Sequence, residues 1–554
     1  MSRVEVNPQV TLLRNPVLRG FAPDPSMVRV GDWYYVANSS FEWFPTIPVH
    51  RSRDLAHWEY AGHVRGAVPG DSLAGVPDSG GIWAPSLSWD GERFWVVYAV
   101  VRSVGTAYFD ADVYVSTAVE VGGEWSTPRR VASHGFDPAL FHEGGRLWLL
   151  NLQNDHRPGG RRFAGIVMSE LDRDTLAPVG GTHLLVQHER LIEGPKLVRR
   201  GGWYYLVLAE GGTGFEHGVR VARSRALTGP YALDERPLLT SRDDPSLPLQ
   251  KAGHGELVQL PDGEWVLSHL AARPLDTGGG PRCPLGRETA VQAVVWDEDG
   301  WPRLRQGGRH PAVEVDVPTP PEGPSRPLSE DSHGVLGWPW SSPRGYPDPS
   351  WADARTRPGW IRLRGRHGPE SRWAHSLLAQ RITEHRATAE VTVEARPRTF
   401  TQAAGLVLFY NTEAYVSLDV TWAEPEGEGQ HGQQWRGKGR TVLRLVEREE
   451  SATRQAAVVD IGADADVEED GPLTLGVTVD GVEARFWYAV GDSTRTGVEG
   501  GGRTSVGPVV DFSKLSDDHG TKLRFTGAMV GIHAVDLVDA AFTADFTGFR
   551  LNCR

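Results

Sequence analysis

Cysteine is scarce. The chain has 554 residues and only two cysteines, Cys283 and Cys553, far apart in sequence. Two such residues cannot build the disulfide framework of a small secreted domain, and the pattern fits a reducing compartment. Long apolar runs are missing too: no stretch approaches the roughly 20 residues that cross a bilayer, so no membrane partner is expected. The opening Met-Ser-Arg-Val-Glu-Val-Asn-Pro has no apolar segment of the signal-peptide kind. These absences predict a cytoplasmic protein. Excess positive charge is also lacking. The formal net charge is −13, without a basic patch, which argues against nucleic acid as a partner. No compact zinc-type ligand motif occurs, so no metal ligand is assigned and no cofactor is required.

Tryptophan, by contrast, is abundant at 20 residues. Flat aromatic faces suit sugar rings, and they suit buried β cores equally well. The order of the residues says more than the composition. A polar turn with glycine, followed by an aromatic or aliphatic strand, recurs five times: Gly31-Asp-Trp-Tyr-Tyr-Val, Gly91-Glu-Arg-Phe-Trp-Val-Val, Gly145-Arg-Leu-Trp-Leu-Leu, Gly202-Trp-Tyr-Tyr-Leu-Val and Gly263-Glu-Trp-Val-Leu. The intervals between these glycines are 60, 54, 57 and 61 residues. A short strand precedes each pattern, so each reads as a hairpin, and most are followed by a further strand pair. Such a repeat predicts an all-β fold, a five-bladed β-propeller over residues 1–315.

The chain then becomes proline-rich between Pro311 and Pro327, which predicts a semi-rigid linker over 316–332. Beyond it, segments such as Thr388-Ala-Glu-Val-Thr-Val-Glu and Leu473-Thr-Leu-Gly-Val-Thr-Val alternate with period two. They predict a β-sandwich over 333–554, with the Gly-rich stretch from Glu424 as an exposed loop.

The residues opening each repeat carry the chemistry. They read Phe21-Ala-Pro-Asp24-Pro, Ile82-Trp83-Ala-Pro, Phe136-Asp137-Pro, Ile192-Glu193-Gly-Pro and Gly253-His254-Gly. In a propeller the innermost strands line one channel, so Asp24, Trp83, Asp137, Glu193 and His254 are expected to converge. Proline after Asp24 and Asp137 stiffens their backbone. Leu191 and Ile192 give Glu193 an apolar setting that favours its protonated form. Two carboxyl groups, one donating a proton and one acting on water or carbon, are what glycoside hydrolysis needs. A third beside the donor, here Asp137, raises its pKa and orients it.

Together these motifs resemble family 43 of the glycoside hydrolases, in its two-domain β-xylosidase form. The resemblance runs over nearly the whole chain, on Asn15-Pro-Val-Leu-Arg-Gly-Phe-Ala-Pro-Asp24-Pro-Ser, Ser40-Phe-Glu-Trp-Phe-Pro, Gly81-Ile-Trp-Ala-Pro, Phe136-Asp137-Pro, Ile192-Glu193-Gly-Pro, Gly286-Arg287-Glu-Thr, Leu515-Ser-Asp-Asp and Phe525-Thr-Gly-Ala-Met-Val-Gly. It implies Asp24 as general base, Asp137 as pKa modulator and Glu193 as general acid, with inversion at the anomeric carbon. It further implies that Arg287 contacts the terminal sugar or the carboxylates, and that Phe41 and Trp83 wall the pocket. His254 would lie on the axis as a structural histidine that could hold water or an ion, and Phe525 would come from the second domain to close the pocket.

The activity these expectations describe is inverting, exo-acting β-1,4-xylosidase action on xylo-oligosaccharides. α-L-Arabinofuranosidase or combined activity on an arabinose-bearing oligosaccharide stays open, because the two terminal pentoses present similar shapes. A non-catalytic sugar-binding propeller or a protein-interaction propeller would have no use for the trio of acids. Association into a homo-oligomer is left open by the sequence.

Overall fold

Each of the five glycine-centred patterns forms the first hairpin of an antiparallel sheet. The computed structural model describes residues 10–318 except 104, and residues 336–424, 439–461, 471–491, 502–522 and 524–554. The five sheets begin with the strands Ser26–Val30, Gly81–Trp89, Gly135–Glu143, Ile192–Arg200 and Gln250–Gln259. Four have four strands and the fourth has five, and the principal strands of each pair in sequence order as a meander. The first strand of each sheet lies against that of the next, and the fifth lies against the first. The sheets therefore form a closed ring, the arrangement that removes exposed edges from the inner strands. Branched and aromatic side chains such as Val97, Leu150, Leu206 and Trp148 fill the space between neighbouring sheets. Among the described residues there is no α-helix, and no helix is long and apolar enough to cross a membrane.

The expected linker is partly a strand. Glu314–Pro318 pairs antiparallel with Val10–Arg14. Val315 and Val317 are buried while Glu314 and Asp316 are exposed, so alternation prevails over the local proline content up to Pro318. The rest of that expected linker, from 319, and the Gly-rich segment over 425–438 lie outside the described residues.

The chain divides into two units, and the division is less simple than a cut at one linker. The first comprises Met1–Asp71, Ser79–Pro274 and Arg287–Ser329, and the second comprises Ser72–Asp78, Leu275–Gly286 and Glu330–Arg554. Within the second unit, a seven-stranded and a six-stranded antiparallel sheet share one apolar core. Val391, Leu475, Phe486 and Phe546 come from the first of these sheets, and Leu406, Leu418, Leu443 and Ile532 from the second. The two short segments are tied into this unit by polar bonds. Arg344 Nε donates to Val76 O at 2.9 Å and its Nη2 to Asp78 at 2.7 Å. Cys283 N donates to Asp518 at 2.8 Å. Cys283 is buried and Cys553 half-buried.

Candidate active site

Each of the five sheets carries a residue with left-handed backbone at an equivalent place near the start of its first strand, in addition to Gly81 and Lys251 in the second and fifth. The equivalent residues are Asp24 (φ 51°), Ala84 (37°), Asp137 (51°), Gly194 (57°) and His254 (48°). Four of the five are followed by proline. In sheets two to five the strand pairing slips at this place, as in a β-bulge. A bulge sets two residues against one and re-aims side chains, a device common beside active sites. The expected equivalence is therefore corrected in detail. Asp24, Asp137 and His254 occupy the same place in the repeat, whereas Trp83 and Glu193 stand one residue earlier. The backbone at Asp24 and Asp137 is left-handed, a conformation that short polar side chains tolerate better than most.

The surrounding loops hold Asp24 from several sides. Asn38 Nδ2 donates to the carbonyls of Ala22 and Pro23 at 3.0 and 2.9 Å. Ser39 Oγ donates to Asp24 Oδ2 at 2.6 Å and accepts from Ala84 N at 2.7 Å, which links two left-handed residues. Arg287 Nη1 lies 2.8 Å from Asp24 Oδ1, and both side chains are almost wholly buried. His254 Nδ1 is 3.9 Å from the same oxygen. Gly194 packs against the His254 ring so closely that a Cβ there would lie 3.0 Å from it.

The three acids are all buried, with 5% exposure for Asp24, 7% for Asp137 and 6% for Glu193. They interact electrostatically with one another, and their proton affinities diverge. Burial pushes Asp24 upward, but Arg287, His254 and the Ser39 hydroxyl outweigh it and bring Asp24 below the ordinary carboxylate range. Arg287 is the decisive cation, since burial pushes His254 itself down to about 4 and leaves it neutral at neutral pH. Asp137 is raised to about 7 by burial and by the charge of Asp24. Glu193 is raised well above its ordinary value by burial, then by Asp137 and Asp24. Such divergence separates a group that is anionic at neutral pH from one that keeps its proton.

An aromatic cluster joins these residues. Phe21 and Phe41 rings lie 6.0 Å apart, Phe41 and Trp83 6.1 Å, and Trp83 packs edge-on to Phe136 at 5.7 Å. The Arg287 guanidinium sits 5.7 Å from the Phe41 ring centre. Phe41 exchanges backbone hydrogen bonds with Ile82, and the close approach admits only glycine at 81, where a Cβ would lie 2.2 Å from Phe41 O. The structure thus brings Phe41, Trp83, His254 and Arg287 into one neighbourhood with the acids. Phe525 is half-buried in the second unit. Among the described residues, no group of three or more His, Cys, Asp or Glu side chains is placed to hold a metal ion.

Sequence reasoning missed several contributors. Ser39 carries the contact to Asp24, and His217 lies fully buried with its ring against Gly253. Buried Lys196 and half-buried Glu256 form a pair two residues beyond the left-handed positions. Aligning the first four repeats on the residue before proline would have placed Ser26, Ser86, Ala139 and Lys196 in one tier, which the fifth repeat, lacking that proline, does not reveal for Glu256.

Comparison with known proteins agrees with this geometry. Residues 13–302 match the family described as Glycosyl hydrolases family 43, and 332–552 match the Beta xylosidase C-terminal Concanavalin A-like domain. The chain is 37% identical to a Xylosidase/arabinosidase 43B of Humicola insolens, over 98% of this chain and 97% of that one. It is 35% identical to a Beta-xylosidase of Bacillus subtilis, over 97% and 99% of the two. Among solved structures, a xylan beta-1,4-xylosidase from Bacillus halodurans superposes with a TM-score of 0.88 at 38% identity, covering 98% of this chain and all of the other.

Proposed function

This chain belongs to family 43 of the glycosyl hydrolases, and from that premise we propose that it is an inverting, exo-acting β-1,4-xylosidase releasing terminal xylose from xylo-oligosaccharides. The divergence of proton affinity among three mutually interacting, buried carboxyls carries the reading. Asp24, kept anionic by Arg287, is the general base and takes a proton from the attacking water. Glu193, kept protonated by burial and its acidic neighbours, is the general acid and gives its proton to the departing oxygen. Asp137 holds up the proton affinity of Glu193. A single displacement through an oxocarbenium-like transition state inverts the anomeric carbon, a course that in inverting enzymes generally takes a base and an acid about 6.5–9.5 Å apart to admit water. Phe41 and Trp83 wall the sugar site. The proposed chemistry requires no cofactor, and the axis near His254 is the place where a structural ion would sit.

The ring of sheets reads as a five-bladed propeller and the second unit as a β-sandwich, and the closed neighbour order of the first strands supports the former. Scarcity of cysteine supports a cytoplasmic location. The names of the Bacillus relatives support xylose as the sugar. The fungal relative's name supports a second reading, added α-L-arabinofuranosidase activity at the same site. Incubation with xylobiose, nitrophenyl β-xyloside and nitrophenyl α-arabinofuranoside tests both. Xylose from xylobiose is expected; release of arabinose alone would replace the first reading by the second, and release of neither sugar would refute both.

A further inference from the structure

Strand register puts two loops at the end of the ring where the acids lie. In the second sheet Gly81 pairs with Val101 and Trp83 with Ala99, so the chain leaving Val101 emerges beside the start of the first strand. In the third sheet Gly135 pairs with Gln153, so the chain leaving Asn154 emerges beside the start of the strand that carries Asp137. The loop carrying Tyr108 and the loop carrying His156 therefore rise at the acid end. Both are pinned by their own bonds. Arg102 N donates to Asp110 O at 2.9 Å, and Asp110 N donates to Ser103 Oγ at 2.9 Å. Asp155 N donates to Arg162 O at 3.1 Å, and the Asp155 carboxylate accepts from Arg157 Nε at 2.8 Å and Nη2 at 2.6 Å. Gly160 packs on that carboxylate, where a Cβ would lie 2.6 Å from its Cγ.

A line of rings runs outward from the acids to these loops. Phe109 lies 5.7 Å from Trp83 and 5.5 Å from Phe136. Exposure rises along the line: Phe41 and Phe136 are buried, and Trp83 and Phe109 are half-buried. Tyr108, next in the chain to Phe109, is 74% exposed. Its ring meets that of exposed His156 at 4.4 Å, tilted by 34°, which joins loops of neighbouring sheets. An aromatic ring held in water forgoes the stabilisation of burial. Paired on pinned loops, the two rings present flat apolar area with polar edges.

An exo-acting hydrolase holds the terminal sugar among its acids, and the rest of the chain leaves toward solvent. Exposed rings at the acid end can therefore meet only the leaving part of the substrate. A pyranose has apolar C–H faces that pack on aromatic rings, and its hydroxyls suit a phenol oxygen and imidazole nitrogens. We infer that Tyr108 and His156 form a sugar-binding platform for the leaving part of a xylo-oligosaccharide, outward of the bond that is cleaved. The inference rests on the exo-hydrolase reading proposed above. The pair takes no part in the proton transfers, and its binding energy is available only to substrates long enough to reach it.

The test compares kcat/KM on xylotriose with kcat/KM on β-xylosyl fluoride, whose leaving group carries no sugar. Tyr108→Ala should lower the xylotriose value about three- to tenfold more than the fluoride value, the size expected for one lost stacking contact. His156→Ala should act in the same direction to a smaller extent. Tyr108→Phe keeps the ring and should retain most of the xylotriose activity. Equal losses on the two substrates would show a merely structural role for the loop and overturn the inference. So would xylotriose kinetics left unchanged in both alanine variants. A wild-type protein that hydrolyses neither substrate would refute the proposed function, and this inference with it.

Discussion

Asp24 shows at the scale of one residue how burial and charge decide a role. Burial alone would protonate it; a guanidinium at 2.8 Å and a hydroxyl at 2.6 Å make it an anion. Replacing Arg287 by Met should raise the Asp24 pKa and displace the acidic limb of the activity profile to higher pH, in addition to lowering the rate. An acidic limb that stays in place would show that Arg287 does not set the base. Glu193→Ala should slow xylobiose hydrolysis by about 10²–10⁴-fold while affecting aryl xylosides with good leaving groups far less. Asp24→Ala should abolish turnover of both, because no leaving group substitutes for activation of water. Steady-state kinetics on the two substrates separate these outcomes.

The first strands show at the next scale how a repeated irregularity builds a site. Bulged, left-handed residues recur at one place in the ring, and Gly194 occupies that place beside Glu193. Gly194→Ala meets both a φ of 57° and the His254 ring at 3.0 Å. It should cost about 1–3 kcal/mol of stability and lower kcat by displacing the acid. Ala84→Gly removes a methyl from the same kind of position, at φ 37°, and should be nearly neutral, within about 1 kcal/mol. Thermal unfolding of the two variants checks the contrast; equal effects would mean that backbone conformation at this place is not selective. The hairpins and the proline-marked strand starts were legible in the sequence because glycine turns and period-two alternation are local. The one-residue offset of Trp83 and Glu193 was not, because it depends on which residue the bulge turns left-handed. Lys196 and Glu256 were hidden for a related reason: they meet only when sheets distant in sequence are closed into a ring.

Across the whole molecule, the fold class and the presence of two units could be read from periodicity, but the membership of 72–78 and 275–286 could not. Their attachment rests on scattered bonds, such as Arg344 to Asp78 and Leu73 N to Arg344 O, that leave no periodic trace. Stability should carry the mark of the acids. Glu193 has its pKa raised on folding, so its contribution is complete below its unfolded pKa and is lost as pH rises through the folded value. Glu193→Gln does not titrate. Its melting temperature should therefore gain on the wild type as pH is raised from about 6 to about 9, even as activity is lost. A constant difference across that range would mean that Glu193 is not held protonated by the fold.

Proton NMR of xylobiose hydrolysis in its first moments, before the product equilibrates, puts the arrangement of Asp24 and Glu193 to the most direct test. A base and an acid serving one displacement predict α-xylose as the first signal to grow. Initial accumulation of β-xylose would contradict it, since retention requires a carboxylate to attack the sugar itself.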